Sequence, residues 1–176
     1  MLQLASLDER TRQDMLEELE YDSTRRQTYV SPRLSPRGRA DWLGLLRESF
    51  VSGNDGTLAV QLRLAGRLRT REPRQSKRGK VVSTAVPETA AETLAEGEFN
   101  RYYIRGLCRR AIDEKIPNLV IHRAKRVELP RPESQARIGK SIDPQRLLGD
   151  LRANIGVDPA LGVPAGPNSG LSVRLP

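Results

Sequence analysis

The stretch from Pro87 to Ile116 constrains the fold more than any other part of the chain. Glu88, Glu92, Glu96 and Glu98 load its beginning, and Arg101, Arg105, Arg109, Arg110 and Lys115 load its end. Acid first and base last is the order that complements a helix macrodipole. Phe99, Tyr103, Leu107 and Ala111 form one i, i+4 row, with Ile104, Cys108 and Ile112 in the adjoining row. A helix with that pattern buries a wide stripe and needs partners on more than one side. Gly97 is a point at which the stretch can divide into two helices. Pro117-Asn118 ends it, and Leu119-Val120-Ile121-His122 begins a short strand reaching to about Val127.

The partners available to that helix are few. Of 176 residues, 37% are hydrophobic and 4% aromatic, which allows one modest core and a single domain of ordinary size. Asp41 to Phe50 places apolar residues at 42, 43, 45, 46 and 50 and suits a short helix, closed by the turn chemistry of Ser52-Gly53-Asn54-Asp55-Gly56. Trp42, Leu46 and Phe50 from this segment join Phe99, Tyr103, Leu107, Cys108 and Ala111 as the expected core. Between 58 and 70 two readings compete. Leu58, Val60, Leu62 and Leu64 alternate like a half-buried strand, which is slightly favoured. A helix capped by Asp55 or Thr57 is the rival, because Leu, Ala, Gln and Arg are good helix formers.

Flanking segments read as arms. Ser6-Leu7-Asp8-Glu9 has the form of a capping box and predicts a helix from Leu7 to about Glu20, with Ser6 as N-cap. Its apolar side, Leu7, Met15, Leu16 and Leu19, is too thin to hold a helix without a surface to lie on, such as a neighbouring subunit. Residues 23–40 contain two Ser-Pro-Arg units and predict an extended basic arm. Residues 69–87 predict a basic loop. Asp143-Pro144 predicts a helix over 144–155 with Gly156 as its stop, and the Pro/Gly-rich end of the chain is expected to be extended or disordered when free. The expected class is therefore mainly α with a few short strands (α+β), a small helical core with extended N-terminal and C-terminal arms. Its parts are an acidic helix at 1–22, the arm at 23–40, a core at 41–128 and a C-terminal arm at 129–176.

Charge is arranged in blocks within a net +8. Residues 1–22 are net −5, 23–40 net +5, 63–80 net +7, 81–100 net −4 and 101–126 net +6. Alternating blocks can pair within a chain or between copies, unlike the uniformly basic face of a dedicated nucleic-acid binder. The candidate partner-binding residues are Arg25, Arg26, Arg33, Arg37 and Arg39 in the arm, then Arg67, Arg69, Arg71, Arg74, Lys77, Arg78 and Lys80 in the loop. The arm arginines are expected to meet acidic surfaces of neighbours, the helix at 7–22 among them.

Catalytic chemistry finds no footing in this pattern, and the expectation is no enzyme, no metal and no cofactor. One Cys and one His, Cys108 and His122, offer no ligand spacing. The glutamates at 88, 92, 96 and 98 read as a solvated helix face rather than an acid–base pair. No Walker or dinucleotide-binding spacing occurs. The single cysteine fits a reducing compartment, no apolar run is long enough to cross a membrane, and the first twenty residues lack the pattern of a secretory signal. Two classes remain: an assembly protein whose arms order on neighbouring subunits, or a non-specific nucleic-acid binder whose arginines lie along phosphates. Tyr29 is the only aromatic residue in either basic segment, so no base-stacking platform is visible for the second.

The segment Gly97-Glu98-Phe99-Asn100-Arg101-Tyr102-Tyr103-Ile104-Arg105-Gly106-Leu107-Cys108-Arg109-Arg110-Ala111, within 97–135, resembles small virion structural proteins of tailed phages and prophages. The resemblance implies a minor capsid, decoration or head–tail connector component, assembled in the host cytoplasm and carried in the virion. It further implies capsid or connector subunits as partners, copies of the chain itself among them, with nucleic acid as a further contact.

Overall fold

From its N-terminus the chain forms α1 (Glu9–Thr24), α2 (Pro36–Ser52), α3 (Asp55–Arg63), β1 (Arg71–Gln75), β2 (Val81–Ala85), α4 (Ala90–Asp113), β3 (Leu119–Arg123), α5 (Pro132–Gln135), β4 (Ser141–Ile142), α6 (Pro144–Ala153) and β5 (Leu171–Arg174). These are the elements of a computed structural model, which describes residues 1–75, 79–164 and 169–176. The protein is mainly α with two small sheets, as its patterning predicts.

The helix α4 runs unbroken through Gly97 and is the axis of the molecule. Its neighbours α1, α3 and α6 all pack directly on it, and α2 completes the layer against α1 and α3. Every residue from Glu98 to Cys108 is buried, so α4 is surrounded on all sides along its middle. The eight core residues expected from the sequence are all buried. Phe50 meets Phe99 edge-on with centroids 5.6 Å apart and lies 5.1 Å from Tyr102, arrangements aromatic quadrupoles favour. The indole N–H of Trp42 is satisfied by donating to the Tyr29 carbonyl at 2.7 Å.

The core is larger than residues 41–128. Met15 and Leu19 from α1, Leu147 and Leu151 from α6, and Leu171 and Val173 from β5 belong to the same apolar cluster. What was expected to be terminal arms therefore contributes structure on both sides of α4.

Several local expectations are corrected by the observed geometry. Asp8, not Ser6, caps α1, its carboxylate accepting the Thr11 N–H at 3.0 Å. Ser6 instead accepts from the Leu175 N–H and donates its own N–H to the Tyr103 hydroxyl. Segment 58–63 is helical: Asn54 and Thr57 form a reciprocal capping box, and Leu58, Ala59 and Leu62 face inward while Val60 and Leu64 are half exposed. Spacing i, i+1, i+4 buries more apolar area here than the alternation would.

The segment 23–40 is not a free arm. α2 begins at Pro36 with Ser35 as its cap, Ser31 and Leu34 are buried, and the Tyr29 ring lies against Gly156. The basic stretch 69–87 contains an antiparallel hairpin, β1 on β2, pairing Arg71 with Ala85 and Gln75 with Val81. The strand after α4 stops at Arg123, short of Val127, and α6 ends at Ala153, two residues short of 155. The last residues form β5, which pairs antiparallel with β3 in a sheet of order β4-β3-β5. Leu171, Ser172 and Val173 are buried there. The Leu171 carbonyl also accepts from the Asn100 side-chain amide at 2.8 Å, so β5 is held by the core and not only by its ladder.

Candidate functional site

The acidic block of α1 faces inward. Asp14, Glu18 and Asp22 share one i, i+4 row and are buried with Thr11, Met15 and Leu19. The buried Arg105 of α4 answers them. Its Nη1 and Nη2 donate to Asp22 at 2.6 and 2.8 Å, and its Nε donates to Glu18 at 2.8 Å. The Tyr102 hydroxyl donates to Asp22 at 2.8 Å, and Arg152 of α6 donates to Glu18 at 2.5 and 3.0 Å. Arg109 closes the row with ion pairs to Glu17, Glu18 and Asp14. Burial opposes the charge on Arg105, but Asp22 and Glu18 more than compensate and raise its pKa. Apart from the Arg109 Nε, which has no hydrogen-bond partner, these groups satisfy one another, so the network fixes α1 and α6 on α4. Sequence reading missed it because the acids look solvated on a thin helix; the signal was that their row adjoins the one carrying Met15 and Leu19.

The candidate partner-binding residues divide by location. In the 23–40 segment Arg33 is tied down, donating to Glu72 at 2.6 and 3.0 Å. Arg37 sits 3.8 Å from Asp41, Arg39 contacts the Leu34 carbonyl, and Arg25 stacks on Tyr21 at 3.7 Å. None of these meets the inward carboxylates of α1, which α4 and α6 already occupy. Arg26 is exposed with φ 55°, in the tight turn after α1. Arg67 is bound to Asp41 at 2.8 Å and to the Gln61 carbonyl at 2.7 Å, and Arg69 reaches the Leu34 carbonyl. Arg71 and Arg74 project from β1 and Lys80 stands just before β2, all three exposed. Lys77 and Arg78 lie outside the described residues.

The hairpin itself is the most exposed element. Of its ten strand residues only Glu72 and Thr84 are partly covered. Val81 is 72% exposed and Val82 43%. A lone two-stranded hairpin is marginal in water, and this one is tethered by the Arg33–Glu72 pair and, at its base, by the Arg69 N–H to Arg33 carbonyl bond.

A cavity of about 230 Å³ lies over the N-terminal half of α4. Gly97 lines it and is exposed, and a Cβ there would meet nothing within 4 Å. Tyr29, Leu94, Val157 and Pro159 supply apolar wall. Glu98 lines it, 6% exposed, and among the described residues its carboxylate accepts no hydrogen bond and forms no ion pair. Burial pushes its carboxyl up to about 7, against the opposing pull of Arg101 and Arg105. Asn100, 5% exposed, also lines the cavity, and its Oδ1 is sealed from solvent without a hydrogen-bond partner. The sequence reading placed Glu98 on a solvated face, and only the packing of the 157–159 segment against α4 encloses it.

Cys108 is fully buried and its thiol is pushed up by burial. His122 is half-buried, 3.4 Å from the Gln3 carbonyl, and burial lowers its pKa. Among the described residues no group of three or more His, Cys, Asp or Glu is placed to hold a metal ion, and no helix is long and apolar enough to cross a membrane. Compared with known proteins, the chain matches no family model, no curated protein and no solved structure.

Proposed function

We propose that this chain is a non-enzymatic assembly protein of a tailed-phage-type particle, a minor capsid, decoration or head–tail connector component. It binds neighbouring protein subunits, copies of itself among them, through exposed basic elements. The observation that carries the assembly role is the β1–β2 hairpin. Exposed valines at 81 and 82 and the cations Arg71 and Arg74 stand on a two-stranded element that lacks a packed face. Such an element gains its stability from a docking partner, either by strand addition or by burial of its apolar side. The virion station rests on the resemblance of residues 97–135.

The test is the mass of the purified protein by light scattering, after nuclease treatment and at moderate salt. A defined oligomer that dissociates when Val81 and Val82 are replaced by Asp supports the reading. A monomer that binds duplex and single-stranded DNA alike, with a steep salt dependence, overturns it in favour of phosphate binding.

A further inference from the structure

We propose that the cavity over Gly97 is a receptor for a basic side chain of another protein molecule, with the Glu98 carboxylate as its counter-ion. Glu98 is more than nine-tenths buried, borders the cavity, and has no hydrogen-bonding partner among the described residues. Buried carboxylates are ordinarily paired, because desolvating the charge is otherwise unfavourable. The nearby cations Arg101 and Arg105 act on it only through space, since their hydrogen bonds go elsewhere. Arg105 is committed to Glu18 and Asp22. Arg101 donates to the carbonyls of Asn154 and Val157 at 2.6 Å and of Leu151 at 3.3 Å. Elsewhere on the wall Lys125 is held by Glu96, and Arg33 by Glu72.

The cavity's shape and polarity fit the same occupant. Its volume suits one long side chain better than a drug-sized ligand. The apolar wall of Tyr29, Leu94 and Val157 would cover an alkyl stem while the charged head reaches Glu98. Arginine and lysine share this chemistry, a cation carrying several N–H donors on an apolar stem. Exposed cations are abundant on this chain, so a second copy is a ready source. The binding site stands without the assembly reading, because a free small cation tests it on the monomer.

The probes are n-butylguanidinium and n-butylammonium, with neutral n-butylurea as the isosteric control, followed by amide chemical shifts. Saturable shifts centred on Gly97, Glu98 and Val157 at millimolar concentrations are expected for the cations and not for the urea. Glu98→Gln should weaken cation binding at least tenfold.

Ionisation of Glu98 adds a second signature. Arg101 and Arg105 face it as cations and Asp22 as an anion, while Glu96, Lys125, Arg33 and Asp158 share its cavity. With its carboxyl near 7, affinity should fall about tenfold between pH 8 and pH 6 in the native protein. The Glu98→Gln variant should lack that fall. Gly97→Leu adds a bulky side chain to the cavity lining without altering charge, and should abolish binding even if Glu98→Gln fails to fold. Absence of saturable shifts at tens of millimolar, equal binding by butylurea, or full binding by Gly97→Leu each overturns the proposal. Comparing an arginine-bearing peptide of residues 69–75 with one of unrelated basic sequence then separates a second copy from a different partner.

Discussion

Arg105 and Asp22, 83 residues apart in sequence, meet in a two-pronged ion pair with N–O distances of 2.6 and 2.8 Å, both side chains almost wholly withdrawn from water. Glu18 takes the third edge of the same guanidinium. Replacing Arg105 by Leu would leave the buried Asp22 with only the Tyr102 hydroxyl and no cation, while Glu18 keeps Arg152 and Arg109, at a cost of about 3–5 kcal/mol. Replacing Arg47, whose pair with Glu20 is more than half exposed on both sides, should cost under about 1 kcal/mol. Urea denaturation of the two variants checks the contrast, and equal losses would mean that the seam does not hold α1.

This pair also marks how far the sequence could be read. The row Phe99, Tyr103, Leu107 and Ala111 was visible because its spacing repeats within one helix, and all four are buried. The destination of the α1 acids was not visible, because a carboxylate looks the same whether it faces water or an arginine from another helix. Alternation misled at Leu58 to Leu64, where packing against α4 decided between two patterns that the same residues satisfy. The hairpin was hidden by its composition, since Arg, Lys, Pro and Ser give little strand propensity and its stability comes from pairing. Glu98 escaped notice for a similar reason. Its enclosure depends on residues 60 positions away, which local spacing cannot report.

Leu107 lies at the centre of the α4 row and is fully buried. Leu107→Ala should cost about 2–5 kcal/mol, the range for a deleted core isobutyl group that leaves a cavity. A loss of a few tenths in equilibrium unfolding would place this row against solvent and contradict the packing around α4.

Glu98 should give stability an unusual slope with pH. Its carboxyl titrates near 7 in the folded protein, mainly from burial, against 4.5 in the unfolded chain. Between those values the folded state binds the extra proton, so stability falls as pH rises from about 4.5 to 7. The full effect is on the order of 3 kcal/mol. Asp14 and Asp55, also raised by burial, add the same sign just above the ordinary aspartate range. Denaturation midpoints at pH 5 and pH 8 should differ less in Glu98→Gln than in the native protein, and parallel profiles would count against a buried carboxyl.

The tether of the hairpin can be separated from the core. Arg33 and Glu72 are each partly exposed, so Arg33→Ala should lower global stability by no more than about 1 kcal/mol. Amide exchange across Arg71–Gln75 and Val81–Ala85 should nevertheless accelerate, because these strands bury almost nothing else. Unchanged exchange there would show that the ladder alone holds the hairpin.

Two glycines of α4 predict opposite outcomes for the same substitution. At Gly106 an added methyl would sit 2.9 Å from the Met15 Cγ and backbone N and 3.0 Å from the Thr11 carbonyl oxygen. Backbone of α1 is thus among the nearest atoms, and the two helices must part to admit the methyl. Gly106→Ala should therefore destabilise by about 1–3 kcal/mol despite alanine's better helix propensity. At Gly97 the methyl meets nothing within 4 Å, and Gly97→Ala should stabilise by up to about 1 kcal/mol through helix propensity alone. Thermal unfolding of the two variants side by side reads the sign directly. Stabilisation at Gly106 would mean that α1 and α4 do not cross as closely as this geometry requires.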